Sequence, residues 1–85
     1  MNKRRSLIEL FEIAEQVGDI KFILLSVKHR DYPQAEIIAV PTANFSLKAQ
    51  YILNNYTEDL ALKNCEDIRI VQVKVVNNEG EIIND

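Results

Sequence analysis

The chain has 85 residues, of which 47% are hydrophobic and 27% are charged, and its formal net charge is −3. This composition is typical of one folded domain and argues against disorder. A net negative charge gives no reason to expect nucleic acid, an anionic membrane or a polyanionic substrate as the ligand. We therefore predict a single small domain over residues 1–85.

Cysteine use and hydropathy bear on the compartment. The one cysteine, Cys65, cannot form an intrachain disulfide, whereas small secreted domains usually carry an even number of cysteines. The longest uninterrupted apolar run, residues 22–25, is far too short to span a bilayer. Three glutamates, Glu9, Glu12 and Glu15, interrupt the N-terminal apolar stretch, which a signal peptide would not tolerate. The sequence predicts a cytoplasmic protein without a membrane contact.

Residues 6–17 are predicted to form the first helix. Their apolar residues recur at helical spacing, and Ser6 with Glu9 has the S-x-x-E spacing of a capping box. Gly18 supplies the left-handed residue that commonly follows a helix. Residues 1–5 are predicted to be a flexible basic arm, because three cations ahead of a helix oppose its dipole.

Two strands that form a hairpin are predicted next. Residues 19–28 are rich in branched and aromatic side chains, and residues 35–40 are a second apolar run of strand length. Asp31 and Pro33 favour a turn between them. Pro41 ends the second strand because it has no N–H group to donate.

The rest of the chain is predicted to hold one helix and one long strand. The helix runs from Asn44 or Ser46 to Asn64, and residues 67–76 form the third strand. The sequence leaves open whether residues 81–83 return as a short fourth strand. The predicted fold is α+β, in the order α-β-β-α-β(-β). It has a three- to four-stranded mixed sheet, the third strand beside the first, and both helices on one face.

Two helices can cover only one face of such a sheet, although its central strand is apolar on both sides. We predict that the uncovered face binds a second copy of the chain, since two-fold dimers are the commonest oligomers and large exposed apolar patches are rare on monomers. The alternative is that the first helix covers this face. The free edge of the strand at 35–40 is predicted to be a site for strand addition. The predicted interaction residues are Ile23, Leu25, Val27, Val71, Val73, Val75 and Tyr51.

No catalytic motif is found. His29, the only histidine, lies in a His-Arg-Asp triplet, but the downstream asparagine and the glycine-rich loop of a protein kinase are missing. Glu66 and Asp67 beside Cys65 disfavour a thiolate, and one Cys with one His cannot make a Cys/His zinc site. The sequence predicts no enzyme, no cofactor and no metal site.

Nucleic-acid binding is the alternative function. The basic arm and the hairpin tip carry cations that suit phosphates, and a tyrosine at the tip offers a stacking surface. This alternative predicts an affinity that falls steeply with salt and is lost in the variant Lys28→Ala/Arg30→Ala. A small-ligand pocket between dimer halves also stays open. The predicted nucleic-acid residues are Lys3, Arg4, Arg5, Lys28, His29, Arg30 and Tyr32.

The segment KAQYILNNYTEDLALKNCEDIRIVQVKVV, residues 48–76, combines a tyrosine-rich helix of the form Tyr-Ile-Leu-x-x-Tyr-x-Glu-Asp-Leu-x-Leu-Lys, a short acidic loop and an Ile/Val strand. This pattern resembles the C-terminal part of small uncharacterised proteins of phages and prophages of Gram-positive bacteria. The resemblance implies no catalytic residue. It implies a small accessory protein of a mobile element, a class that often binds a host or phage protein. The predicted function is therefore a non-enzymatic binding module that acts by protein–protein contact.

Overall fold

The computed structural model describes residues 2–83, which form two helices and a four-stranded sheet. The elements in chain order are α1 (Lys3–Val17), β1 (Ile20–His29), β2 (Glu36–Pro41), a short 3-10 helix (Thr42–Asn44), α2 (Phe45–Asn55), β3 (Ala61–Leu62) and β4 (Cys65–Asn77). The strand order is β2-β1-β4-β3. The predicted α+β class is confirmed, and β4 lies beside β1 as expected.

The sheet is antiparallel rather than mixed. Each of the three neighbouring strand pairs is antiparallel. β2 and β4 do run in the same direction, but β1 lies between them, so no parallel ladder forms. The fourth strand is β3, which lies in the segment predicted to be the end of the second helix. Residues 81–83 contribute only an isolated bridge between Ile82 and Val76.

α1 begins earlier than the capping-box pattern predicts. Asn2 is the N-cap residue, and its Oδ1 accepts a hydrogen bond from the Arg5 amide at 3.0 Å. The predicted cap, Ser6, therefore lies inside the helix. The C-terminus agrees with the prediction, because the helix ends at Val17 and Gly18 follows with a φ of 79°.

The basic segment at the N-terminus is the first turn of α1, which contradicts the flexible arm for the part of 1–5 that the structure describes. Arg4 ties this turn to the segment after α2. Its amide donates to the Glu58 carbonyl at 3.1 Å, and its Nη1 donates to the Tyr56 carbonyl at 2.9 Å. These contacts offset the unfavourable placement of cations at a helix N-terminus.

α2 ends at Asn55, well before the predicted end at Asn64. Tyr56 has an extended backbone, and Leu60 has a positive φ of 66°, a conformation that no helix continues. Thr57 closes the turn between them, since its amide donates to the Ala61 carbonyl at 2.7 Å and its Oγ1 accepts from the Ala61 amide at 3.2 Å. The chain then enters β3.

Two bulges in the β1–β4 ladder set which side chains face the helices. Lys21 is the extra residue in β1, because Ile20 pairs with Asn77 and Phe22 with the adjacent Val76. Val71 is the extra residue in β4, because the pair Ser26–Gln72 is followed by the pair Val27–Ile70. A bulge shifts the alternation of one strand by one residue. Ile70 therefore shares a face with Val73 and Val75.

The core lies between the helices and one face of the sheet. Ile23 and Leu25 of β1 are fully buried there, together with Phe11 of α1 and Phe45 of α2. The two phenylalanine rings meet edge to face with centroids 5.4 Å apart. Burying each such side chain stabilises the fold by about 1.5–3 kcal/mol. Both helices are held against this one face, as predicted.

The face predicted to be uncovered is the core face, so that prediction is wrong. Ile23, Leu25 and Val75 are buried, and Val27 and Val73 are half-buried against the core. Of the predicted interaction residues, only the bulged Val71 and Tyr51 of α2 are exposed. The helices leave the opposite side uncovered. This side, the open face, carries Phe22, Leu24, Ile37, Ala39, Gln72 and Lys74.

Candidate functional site

β2 is the longer of the two sheet edges. It pairs with β1 on one side and with no other strand among the described residues. The other edge strand, β3, has only two residues. A free edge presents unpaired N–H and C=O groups, which makes it a template for another strand. The prediction that this strand is an edge is therefore confirmed.

A groove of about 380 Å³ runs between β2 and α2. Leu47 and Tyr51 of α2 border it and are large apolar side chains left open to solvent, with exposed fractions of 73% and 45%. Lys48 lies between them, with its Nζ 4.7 Å from the centroid of the Tyr51 ring. Burial lowers the pKa of Lys48 below its ordinary value. We call the β2 edge and this groove the edge site.

Two charged residues of the edge site have no ion-pair partner among the described residues. Glu36 is exposed at the start of β2, and Lys48 is half-buried near its other end. Glu36 lies opposite Val27 in the β1–β2 ladder. Val27 faces the helices, so the side chain of Glu36 is on the helix-covered side of the sheet, as is that of Ile38 two residues later. Lys48 lies on that side too. The edge site therefore has an acidic end and a basic end.

The predicted nucleic-acid residues are divided by the fold. The cations of α1 lie in its first turn, where Arg4 is engaged with backbone carbonyls. Lys28, His29 and Arg30 lie at the end of β1 instead. The Tyr32 ring lies 5.0 Å from the His29 ring, and both are at the β1–β2 turn. Arg69 lies between the two groups, because it lines one groove with Lys3 and another with Lys28 and Arg30.

A smaller basic cluster forms on the sheet itself. Lys28 lies directly opposite Arg69 in the ladder, and neither has an ion-pair partner among residues 2–83. Arg30 is compensated, with its guanidinium 3.3 Å from Asp67 and 3.7 Å from Asp31. Like charges placed directly opposite each other are destabilising. Arg69 was not predicted, because its position opposite Lys28 follows only from the register.

Three residues of different chemistry meet where β1 ends and β4 begins. The ligand-type atoms of His29, Cys65 and Asp67 all lie within 4.8 Å of one another, and the three residues are half-buried. The sequence predicts no metal site, because one Cys and one His are too few for a Cys/His zinc site. The third donor is Asp67, which the β1–β4 ladder brings to His29 through the neighbouring pair His29–Ile68.

The neighbouring His29 and Cys65 are not arranged as a nucleophile and its base. His29 Nδ1 accepts a hydrogen bond from the Asp31 amide at 3.0 Å. In a neutral imidazole the proton is then on Nε2, which makes that atom a donor. A general base for a thiol needs a free acceptor nitrogen. The pair therefore lacks the acceptor that thiol activation requires.

Another groove, of about 520 Å³, lies between α1 and β4. It is lined by apolar residues such as Leu7, Leu10 and Ile70, with Lys3, Asp59 and Arg69 among its polar groups. It contains no cysteine or histidine, so it offers no nucleophile of those types. In the described part of the chain, no helix is long and apolar enough to cross a membrane.

Comparison of the chain with protein-family models, curated proteins and solved structures gives no match. The resemblance to phage and prophage proteins therefore stays a prediction.

Proposed function

We propose that this protein is a non-enzymatic interaction module that acts by strand pairing at the edge site, and that its partner there is β2 of a second copy. The observation that carries the proposal is the free edge of β2 beside the exposed Leu47 and Tyr51. Strand addition at such an edge obtains affinity from backbone hydrogen bonds and specificity from flanking side-chain pockets. The predicted resemblance supports the same kind of function, since that class often binds another protein.

A two-fold axis makes the charges of the edge site complementary. In an antiparallel β2–β2 pair, the first residue of one strand lies near the last residue of the other. Glu36 of one copy then approaches the end of β2 where Lys48 of the other lies, and both side chains are on the helix-covered side. The contact occurs twice by symmetry. Each partnerless charge thereby gains an opposite charge.

Exposed apolar side chains lie on both sides of the β2 edge, Ile37 on the open face and Leu47 at the groove. A β2–β2 pair would cover both.

The test is the solution mass over a tenfold concentration range, by light scattering behind a sizing column. We expect a dimer near twice the 9.8 kDa chain mass. The single charge reversals Glu36→Lys and Lys48→Glu should each raise the dimer dissociation constant about tenfold or more, because each creates two like-charge contacts per dimer. The double variant Glu36→Lys/Lys48→Glu should return to within about threefold of the wild type.

Two leucines of α2 provide a matched control. Leu47→Ser should weaken the dimer, whereas Leu53→Ser, on the same helix but at a groove beside α1, should not. A monomer at every concentration would refute the homodimer. A dimer that is indifferent to the charge reversals would place the contact elsewhere, with the open face as the next candidate.

Nucleic-acid binding is the second candidate, and the Lys28–Arg69 pair is the observation that favours it. An anion between the two side chains would relieve their repulsion. The candidate ranks second because the predicted arm is part of α1 and Arg4 is engaged there. The nucleic-acid affinity should fall steeply with salt, and Lys28 and Arg69 are now the residues expected to carry it. A cytoplasmic location suits either function, because the one thiol is free.

A further inference from the structure

We propose that His29, Cys65 and Asp67 form a zinc(II) site within one chain, with the fourth coordination position open. The inference is independent of the proposed dimer, because the three residues lie at the β1–β4 end of the sheet and not at the edge site. The basis is the convergence of one imidazole, one thiol and one carboxylate on a common volume.

The spacing of the three groups suits a small ion. Ligand atoms about 2.0–2.3 Å from a tetrahedral zinc lie roughly 3.5 Å from one another. The ligand atoms of the three residues lie within 4.8 Å of one another. Side-chain rotations that move these atoms by about an ångström bring them to the spacing of roughly 3.5 Å. The backbone is already fixed by the ladder, since the Arg30 amide donates to the Asp67 carbonyl at 2.8 Å and Leu62 pairs with Cys65.

The chemistry of the donors selects the ion. A thiolate and an imidazole exclude Mg²⁺ and Ca²⁺, which take oxygen ligands, and favour Zn²⁺ among common cellular ions. Three protein ligands leave one position for water or for a group of a partner. Binding forms Zn–N, Zn–S and Zn–O bonds, displaces water from the hydrated ion and releases the thiol proton of Cys65 to solvent.

One contact must change when the ion binds, and a second one competes with the ion. The Asp31 amide now donates to His29 Nδ1. Zinc on Nδ1 takes that lone pair, and zinc on Nε2 leaves a proton on Nδ1, so this hydrogen bond is lost in either case. The second contact is the ion pair between Arg30 and Asp67. Its two side chains are 72% and 39% exposed, so it is weakly held.

The site would fasten the ends of two strands to each other. His29 ends β1, whereas Cys65 and Asp67 begin β4 directly after the β3–β4 turn. An ion bound by all three would hold this turn against the β1–β2 turn. Binding to the folded state alone raises the unfolding temperature by mass action.

The experiment is a titration of the reduced full-length protein with Co²⁺ and then Zn²⁺, without thiol reagents. We expect one Co²⁺ per chain, a thiolate-to-cobalt charge-transfer band in the near ultraviolet, and loss of the band when Zn²⁺ displaces Co²⁺. Amide NMR spectra recorded with Zn²⁺ should show the Asp31 signal among the most strongly shifted.

Variants decide whether these residues are the ligands. Cys65→Ser should remove the band, and His29→Gln and Asp67→Asn should each weaken Zn²⁺ binding at least about tenfold. Glu66→Gln is the matched control for Asp67→Asn, because it removes the same charge from the adjacent exposed residue, and it should change the affinity less than about threefold. Arg30→Gln should tighten binding.

Three results would overturn the proposal. The first is the absence of a charge-transfer band in the wild type. The second is an equal loss of affinity in Asp67→Asn and Glu66→Gln, which would indicate only a general effect of charge. The third is one metal ion per two chains with the band retained, which would place the ion between copies. The first and the third results are measured on the wild type, so they decide the matter even if a variant fails to fold.

Discussion

Arg4 is a cation whose contacts lie within the fold rather than with solvent. It donates from its guanidinium to the Tyr56 carbonyl and from its amide to the Glu58 carbonyl. The neighbouring Arg5 is exposed, and its side chain makes no hydrogen bond or ion pair with the described residues. Both cations oppose the dipole of α1 to a similar degree. A comparison of the two therefore isolates the contribution of the hydrogen bond.

We expect Arg4→Ala to lower the free energy of unfolding by about 1–2 kcal/mol, because a charged donor to a carbonyl is lost. Arg5→Ala should change it by less than about 0.5 kcal/mol. Urea unfolding followed by circular dichroism measures both. Equal effects would mean that the first turn of α1 is frayed and that the arm predicted from sequence is the better description.

At the scale of elements, the ends of the helices were harder to predict than their existence. The apolar stripe of α1 predicts the helix and its end before Gly18. Its start was missed, because the S-x-x-E spacing at Ser6 lies inside the helix and the N-cap is Asn2. For α2, the apolar residues at 60–62 fit a helix face equally well, so only the backbone of Leu60 reveals the break.

The competing caps can be distinguished by substitution. Asn2→Ala should lower the free energy of unfolding by about 1 kcal/mol, because the Arg5 amide loses its acceptor. Ser6→Ala should be neutral or slightly stabilising, within about 0.5 kcal/mol, since alanine is the better helix former inside a helix. Thermal unfolding of the two variants gives the comparison. A larger loss of stability in Ser6→Ala than in Asn2→Ala would show that Ser6 is the N-cap residue.

The sequence predicts the candidate sites only in part. The β2 edge followed from the hairpin and from Pro41, and Tyr51 is exposed at its groove. The identity of the uncovered face did not follow, because β1 is apolar on both sides and period-two alternation does not tell which side the helices take. The approach of Asp67 to His29 depends on the ladder register, which the sequence does not display.

At the scale of the whole molecule, Lys48 links stability to association. Burial lowers its pKa from the ordinary 10.5. Between the lowered value and 10.5, the unfolded chain binds more protons than the folded monomer, so the stability of the monomer rises with pH in that window. In the proposed dimer, the carboxylate of Glu36 raises this pKa again. The dimer should therefore weaken as the pH rises through this raised pKa of Lys48.

We expect the wild-type monomer, compared with Lys48→Met, to gain stability as pH rises toward 10.5. The comparison at equal pH removes the contribution of Tyr56, whose pKa burial and Tyr51 raise. Unfolding is measured at a concentration where the chain is monomeric. The same Lys48→Met protein should dimerise more weakly than the wild type near neutral pH. A parallel pH profile for the two proteins would contradict this account of Lys48.

The two bulges of the β1–β4 ladder have a consequence for how the gene can change. One extra residue lies on each strand, Lys21 on β1 and Val71 on β4, so the shifts cancel and only the five pairs from Phe22 to Ser26 are displaced. Deleting both codons would remove the bulges and leave every other pair of this ladder unchanged, and the same holds for deleting either codon alone. If Lys21 and Val71 were instead paired regularly within the ladder, Phe22 and Leu24 would lie opposite Val75 and Val73, and Ile23 and Leu25 would lie opposite Lys74 and Gln72. The inside and the outside of the sheet therefore depend on these two residues staying out of the ladder, so the gene can lose either codon without exchanging the two faces.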